Sequence, residues 1–218
     1  MITPTVENYL KSLFLLDPQA NTRVATGELA TSLGVTPGSA TSMIKSLAES
    51  GFVIHRPHYG VQLTKEGRQL AIHVVRRHRI VELFLVQILG MDWSKVHDEA
   101  EKLEHVVSDE VVDRLDTLLG HPSVDPHGDP IPTADGELPH RHLTQLASCS
   151  EGDQVSVARI RNQDTAFLQF AEESGLRIGA TITITSRKDI ADSITVQSGA
   201  KEIILGLAAA GRIEVEHV

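Results

Sequence analysis

The spacing of apolar residues along the chain changes near residue 150. Up to residue 119 apolar side chains recur every three to four positions, which predicts helices, and after residue 150 they alternate, which predicts β-strands. The helical spacing covers residues 4–16, 27–33, 37–50, 65–89 and 109–119. The stretch from Asp92 to Val112 reads as a further amphipathic helix. We therefore expect a mostly α-helical protein with a C-terminal β domain.

The second and third helical segments form a helix-turn-helix pattern. Thr26 is a candidate N-cap for the second segment, and Gly34 ends it in the position that favours a left-handed conformation. Thr36 as N-cap, followed by Pro37, is a strong start signal for the third segment. We expect its outer side to carry small or basic residues that can reach phosphates and base edges. These residues are Ser39, Ala40, Ser42 and Lys45.

Two short β-like runs follow, at residues 52–55 and 61–64, and a turn that includes Tyr59 joins them. A β-hairpin in this place is typical of the wing of a winged helix, and its tip can contact the sugar-phosphate backbone. The alternative is a helical-hairpin module for protein interaction, which leaves the order of helices and wing unexplained. We therefore predict that residues 1–72 form a winged helix-turn-helix DNA-binding domain.

Residues 73–140 are predicted to form a helical dimerisation and metal-binding domain. The long segment 65–89 is apolar over much of its circumference, and such a helix is buried against other helices or in a subunit interface. Helix-turn-helix proteins commonly act as two-fold dimers. Five of the nine prolines lie between Pro122 and Pro139, which indicates a structured loop.

The end of the chain has the pattern of a small β-barrel. Short β-branched runs alternate with Gly and Asp over residues 150–218, with one short helix near residues 165–173. Residues 141–149 are the predicted linker.

The Asp92–Val112 stretch also carries candidate chemistry. On a helix, one side would be apolar and a neighbouring side would hold two imidazoles and two carboxylates. These four residues are His97, Glu101, Glu104 and His105. Imidazole together with carboxylate suits divalent transition metals. The alternative is that these side chains form the solvated flank of an amphipathic helix.

Charge and cysteine content narrow the class of protein. The net charge of −9 argues against nucleic acid, but residues 1–80 hold nine Lys and Arg against five Asp and Glu. A basic N-terminal part on an acidic body is compatible with DNA binding at one end. The single cysteine, Cys149, excludes an intrachain disulfide. With no basic segment of a signal peptide and no apolar stretch long enough to span a membrane, we expect a cytoplasmic protein.

The winged helix, the HDEAEKLEHVVSDE segment and the C-terminal β domain, in this order, resemble the diphtheria toxin repressor family of metal-dependent transcriptional regulators. The resemblance spans nearly the whole chain and is most specific in HRIVELFLVQILGMDWSKVHDEAEKLEHVVSDE and HPSVDPHGDPIP. It implies a repressor of metal-uptake genes, not an enzyme. It further implies a homodimer that binds a palindromic DNA operator when Mn(II) or Fe(II) is bound, and a C-terminal domain that is SH3-like.

The resemblance implies a primary metal site formed by Asn8, Glu101, Glu104 and His105. Iron-type members resemble one another in having Met and Cys at the positions of Asn8 and Glu101, whereas manganese-type members have Asp and Glu. This chain has the manganese-like Glu101 but departs at Asn8, an amide that brings no charge. Hard oxygen ligands suit Mn(II), so we expect Mn(II) first and Fe(II) next, with other divalent transition metals binding in vitro. Glu7 is either a weaker ligand or a helix-start charge.

A second metal site is implied by further matching positions: His78, Glu82, His97, Asp125, His127 and Asp164. Which of these six bind an ion is left open, and His127 can equally be an ordinary loop histidine. The implied DNA contacts are Thr36, Ser39, Thr41 and Ser42, to which the pattern adds Lys45 and Tyr59.

Two other functions fit parts of the sequence. A winged-helix regulator with purely structural metals would bind DNA whether or not a chelator is present. A two-metal hydrolase could use the same His and Glu residues, but it needs an open coordination position and a substrate cleft, and it leaves the winged helix unexplained.

Overall fold

The computed structural model describes residues 2–139 and 141–218. The predicted domain boundaries at residues 1 and 140 therefore lie outside the described residues. The described chain forms two compact units. Unit 1 comprises Met1–His78, Glu104–Val107 and Pro132–Glu137, and unit 2 comprises Arg79–Leu103, Ser108–Ile131 and Leu138–Val218. The division into three domains and a linker remains a prediction.

Unit 1 begins with three helices: α1 (Pro4–Leu16), α2 (Thr26–Ser32) and α3 (Pro37–Glu49). All three predicted helices are confirmed, but the N-cap of the second is wrong. Ala25, not Thr26, holds the extended N-cap conformation, with φ −68° and ψ 140°. The reason is that the backbone amides of Val24 and Val61 each donate a hydrogen bond to the carbonyl oxygen of the other residue, both at 2.9 Å. These bonds keep the backbone extended up to the start of the helix.

Helix α3 starts as predicted, with the Thr36 hydroxyl accepting a hydrogen bond from the Ser39 amide at 3.2 Å. The placement of Ala40 on the outer side is wrong, because this residue is fully buried. It lies in the same helical row as Ile44 and Leu47, which are also buried. A small residue at position 40 therefore serves the packing of unit 1.

The predicted wing is a two-stranded antiparallel hairpin of β1 (Val53–Arg56) and β2 (Gly60–Leu63). Its register pairs Val53 with Leu63 and Arg56 with Gly60. Helix α4 (Lys65–Gln87) follows and contributes residues to both units.

The interpretation of Asp92–Val112 as one helix is wrong. Helix α5 (Val96–Leu103) ends before Glu104, and α6 (Asp109–Leu118) starts after a turn. Ser108 caps α6, its hydroxyl accepting a hydrogen bond from the Val111 amide at 3.4 Å. A serine N-cap followed by two acidic residues strongly favours the start of a helix. Because α6 starts at this cap, α5 does not continue into it. Glu104 and His105 consequently lie in the turn.

The C-terminal part of unit 2 is a small β domain. Within the described residues, six strands form one antiparallel sheet of order β3-β8-β4-β5-β6-β7. The strands are β3 (Thr144–Gln145), β4 (Gln154–Ile160), β5 (Thr181–Lys188), β6 (Ser193–Ser198), β7 (Lys201–Gly206) and β8 (Ile213–His217). Helix α7 (Thr165–Glu173) confirms the predicted short helix, whereas β3 and the four-residue α8 (Leu207–Ala210) had no clear sequence signal. None of the described helices has the length and apolar composition needed to cross a membrane.

Candidate metal centres and DNA-binding surface

The turn after α5 brings a buried carboxylate into unit 1. Glu104 is fully buried, and both of its oxygens accept hydrogen bonds from the Lys11 ammonium of α1, at 2.8 and 3.0 Å. The Nδ1 atom of His78 lies 2.5 Å from Oε2 of the same carboxylate. Burial raises the pKa of the Glu104 carboxyl, but interactions with His78 and Lys11 outweigh burial and hold that pKa below its ordinary value. Glu104 is therefore a carboxylate at neutral pH.

A second pair connects α1 to the same turn. Nδ1 of His105 lies 2.5 Å from Oε2 of Glu7, and the Arg77 guanidinium donates to the other Glu7 oxygen at 2.8 Å. Glu7 is thereby a partner of His105, and the residue next to it on α1 is Asn8. The imidazole is oriented through Nδ1, which leaves Nε2 for another partner.

Asn8 Oδ1 and His105 Nε2 are two buried potential ligand atoms of unit 1 that make no hydrogen bond to any described residue. Buried polar atoms almost always have a partner, so each of these two atoms needs an explanation. The His105 Nε2 atom lies 3.4 Å from Oε1 of Glu104. An amide oxygen, an imidazole nitrogen and a carboxylate oxygen are all donors that Mn(II) and Fe(II) accept. These three residues fit a divalent ion.

The remaining residue of the predicted primary site, Glu101, belongs to unit 2. It lies on α5, where its Oε1 is 3.7 Å from Nε2 of His97, one helical turn away. His78, predicted for the second site, contacts Glu104 in unit 1. The predicted primary set is thus represented in unit 1 by Asn8, Glu104 and His105.

Unit 2 contains a second cluster, formed by Glu82 on α4 and by Asp125 and His127 of the proline-rich loop. One potential ligand atom of each residue lies within 4.8 Å of the other two, and all three residues are buried. His97 adds an imidazole on one side, with its Nδ1 3.3 Å from Oε1 of Glu82. The structure therefore brings together four of the six residues predicted for the second site.

The protonation of this cluster also fits a cation. Nε2 of His127 lies 2.9 Å from the Trp93 carbonyl oxygen, so it carries the proton, and Nδ1 is then the lone-pair donor on the side of Glu82. Burial, followed by the negative charges of Asp129 and Glu82, raises the pKa of the Asp125 carboxyl well above its ordinary value, and Arg79 only partly offsets this. A divalent ion would remove the repulsion between these carboxylates.

The loop of this cluster is packed against the β domain. Oδ1 of Asp125 accepts hydrogen bonds from the amides of His127 and Asp129, at 2.8 and 2.9 Å. The His127 carbonyl accepts a hydrogen bond from the Ile160 amide of β4 at 2.8 Å. The cluster and the C-terminal domain are therefore directly connected within unit 2.

Asp164, the carboxylate predicted from the C-terminal domain, lies at the start of a helix. It caps α7, and its Oδ1 accepts hydrogen bonds from the amides of Ala166 and Phe167, at 3.0 and 3.2 Å. The side chain of the neighbouring Gln163 contacts the proline-rich loop, where its amide donates a hydrogen bond to Asp129 at 2.9 Å. Sequence reasoning missed Gln163 because an amide in a loop carries no spacing signal.

Polar and exposed residues mark the DNA-binding surface of unit 1. Thr36, Ser39, Ser42 and Lys45 are exposed along α3. Thr41 is half-buried, and its hydroxyl donates to the Pro37 carbonyl at 2.7 Å. Tyr59, at the tip of the hairpin, is 77% exposed. These positions remain predictions as DNA contacts.

A winged helix with candidate metal-ligating clusters and a small β domain is typical of a metal-dependent DNA-binding regulator, and comparisons with known proteins agree. Residues 1–61 match the model of the iron-dependent repressor N-terminal DNA-binding domain. Residues 64–133 match the iron-dependent repressor metal-binding and dimerisation domain, and residues 144–217 match the FeoA domain. The chain belongs to the diphtheria toxin repressor family.

Individual relatives extend over the whole chain. The diphtheria toxin repressor of Corynebacterium diphtheriae is 30% identical, with 100% of this chain and 99% of that protein covered. The iron-dependent repressor IdeR of Mycobacterium leprae is 26% identical over 100% of this chain and 99% of its own. A solved manganese-dependent transcriptional repressor in complex with manganese is 40% identical, with a TM-score of 0.88 and coverage of 98% and 100%.

These findings confirm the predicted fold and class. The protein is a metal-dependent transcriptional repressor with a winged DNA-binding domain, a dimerisation domain and an SH3-like C-terminal domain. The family consists of transcriptional repressors, so the hydrolase alternative is excluded.

Proposed function

We propose that this protein is an Mn(II)-activated repressor of metal-uptake genes, which acts in the cytoplasm as a homodimer on a palindromic operator. The observation that carries the proposal is that two buried potential ligand atoms in unit 1, Asn8 Oδ1 and His105 Nε2, make no hydrogen bond to any described residue. They accompany a buried carboxylate, Glu104, which is ionised at neutral pH. Together they offer oxygen and nitrogen donors to one ion.

The donor set supports manganese. Neither centre contains sulfur, because the single cysteine, Cys149, is buried in the core of the β domain. Oxygen and imidazole donors without thiolate favour Mn(II) among the metals that this family uses. Structures of similar fold are described as manganese-dependent repressors and as a manganese regulator, with 40%, 36% and 30% identity.

The primary centre is the regulatory one in this proposal. Asn8, Glu104 and His105 would hold the ion, with Glu101 as the further ligand that the family resemblance implies. A bound divalent ion supplies positive charge that these donors share. Glu7 and Lys11 of α1 already contact the turn after α5, and Ser12 of α1 contacts Ser32 of α2 at 2.6 Å. Since α2 packs on α3, the position of the recognition helix follows the position of α1.

The second centre has a different role in this proposal. Glu82, Asp125 and His127 are all buried, and their loop is hydrogen-bonded to β4. We infer that an ion there stabilises the packing of the C-terminal domain and does not switch DNA binding. This is the structural-metal alternative, restricted to one of the two centres.

A pair of alanine variants separates the two roles. The probe is a DNA duplex that the Mn(II)-loaded wild-type protein selects from a random-sequence pool, and the readout is fluorescence anisotropy. His105→Ala is expected to abolish the increase in DNA affinity that Mn(II) produces, because the ion loses its nitrogen donor. His127→Ala is expected to retain that increase but to lose the metal-induced change in fluorescence of Trp93, whose ring stacks on His127 at 5.6 Å.

The fluorescence readout is specific because Trp93 is the only tryptophan of the chain. If His105→Ala still binds DNA in a metal-dependent way, the primary centre is wrongly assigned. Circular dichroism of both variants shows whether they remain folded.

A further inference from the structure

We propose that Lys11 is a built-in competitor of the activating metal, whose ammonium group shares the Glu104 carboxylate with the ion and so raises the metal concentration at which the repressor responds. This inference rests on the proposed function of the primary centre. It concerns a residue that sets the affinity of that centre without being a ligand.

The first support is geometric. The Lys11 ammonium donates to both oxygens of Glu104, at 2.8 and 3.0 Å, across 93 positions of sequence. The Lys11 side chain is only 9% exposed and that of Glu104 is 0% exposed. On a protein surface, a lysine side chain is usually mobile and its ion pairs are screened by solvent. The Lys11–Glu104 pair is buried, so solvent does not screen it in this way.

The second support is the charge balance of the cluster. The two carboxylates that face His105 each form an ion pair: Glu104 with Lys11, and Glu7 with Arg77 at 2.8 Å. The imidazole of His78 also faces Glu104. The formal charges of these two pairs cancel. These two ion pairs therefore offset the negative charge of Glu104 and Glu7, and the two carboxylates attract a divalent ion less than uncompensated ones would.

The third support is the position of the donors around Glu104. His105 Nε2 is 3.4 Å from Oε1, the oxygen to which Lys11 donates at 2.8 Å. The oxygen available to an ion held by His105 is thus one that Lys11 already contacts. Binding of metal requires the ammonium to share or release it.

Lys11 has an opposite effect on the metal-free protein. Without its ammonium, Glu104 would be a buried carboxylate with weaker compensation, which destabilises the fold. Replacement of Lys11 is therefore expected to tighten metal binding and to lower the stability of the metal-free protein. A residue that only filled space would not change the two quantities in opposite directions.

The test compares Lys11→Met with Lys102→Met. Lys102 also pairs with a glutamate, Glu99, at 2.7 Å, but both side chains are largely exposed. The control therefore deletes the same kind of ion pair where it is surrounded by solvent. Mn(II) affinity is measured on the full-length protein without DNA, from the electron paramagnetic resonance signal of free Mn(II). Stability is measured by thermal unfolding in excess chelator.

Lys11→Met is expected to bind Mn(II) at least about tenfold more tightly than wild type and to unfold at a lower temperature in chelator. Lys102→Met is expected to match wild type in both measurements. Lys11→Gln, which also removes the charge, is the second variant and gives the same prediction if Lys11→Met does not fold. Unchanged Mn(II) affinity in the folded Lys11 variant overturns the inference.

Glu104→Gln distinguishes a failure of the proposed primary centre from a failure of the role given to Lys11. If wild type shows no saturable Mn(II) binding, or if Glu104→Gln binds as tightly as wild type, the proposed primary centre is wrong and the role of Lys11 is overturned with it. If Glu104→Gln binds one Mn(II) ion fewer than wild type, and the Lys11 variants equal wild type, only the role of Lys11 is overturned.

Discussion

Gly128 lies where the backbone of the proline-rich loop passes close to strand β4. Its φ of +87° lies in the left-handed region, and a Cβ atom there would be 2.1 Å from the Ala158 carbonyl oxygen of β4. The conformation strains a side chain at this position, and the distance leaves no room for one. The DPHG segment therefore has a glycine directly after His127, where the loop contacts strand β4.

Gly128→Ala is expected to lower the free energy of unfolding by roughly 3 kcal/mol or more, because the methyl group overlaps a backbone atom. Gly152→Ala is the matched control: its φ of +92° is similar, but its Cβ would meet nothing within 4 Å. The control is expected to lose only the strain of a left-handed side chain, about 1–2 kcal/mol. Chemical denaturation measures both, and equal losses would contradict the role given to Gly128.

The residues of the two centres were predictable to different degrees. Glu104 and His105 have the side-chain types that suggest a metal, and the family resemblance adds Asn8. Lys11 and Arg77 gave no signal, because their partners are remote in sequence, 93 positions away for Lys11 and 70 for Arg77. Local spacing detects neighbours on one helix and cannot detect such pairs.

Helix α3 presents its polar face as a recognition helix would. The exposed residues Ser39, Ser42 and Lys45 are hydroxyls and a cation, and the buried row runs through Ala40 and Ile44. The prediction of the helix was right, whereas Ala40 was placed on the wrong side. A small residue is compatible with either side, so only the register of its larger neighbours decides the placement.

Lys45→Ala is expected to weaken DNA binding to all sequences alike and to reduce the slope of log affinity against log salt by about one, because a single phosphate contact is lost. The control is Lys201→Ala, which removes the same charge from strand β7 of unit 2, which is not part of the winged helix. Fluorescence anisotropy at several salt concentrations checks both variants. An unchanged salt slope for Lys45→Ala would show that this lysine contacts no phosphate.

The break between α5 and α6 shows where element prediction fails. The apolar positions Val96, Ala100, Leu103 and Val107 keep helical spacing across the break, so periodicity alone continues the helix. Ser108 begins a new helix, and the turn before it carries Glu104 and His105 into unit 1. The pattern identified the residues for the centre but gave the wrong backbone for them.

At the scale of the whole molecule, the order of the predicted elements along the chain and their residue composition were sufficient to predict the fold class. Three helices, a hairpin, a long helix and an alternating C-terminal region follow from periodicity, caps and turns, and the structure contains them in that order. The register of the six-stranded sheet and the contact between β4 and the loop at His127 did not follow. They depend on pairings between distant segments, which a single sequence does not specify.

The central claim is that divalent metal controls DNA binding. The most direct measurement is the affinity of the wild-type protein for the DNA duplex that it selects from a random pool, by fluorescence anisotropy, with saturating Mn(II) and with excess chelator. We predict an affinity at least about tenfold higher with Mn(II), corresponding to about 1.4 kcal/mol of coupling. Equal affinity in Mn(II) and in chelator would contradict it.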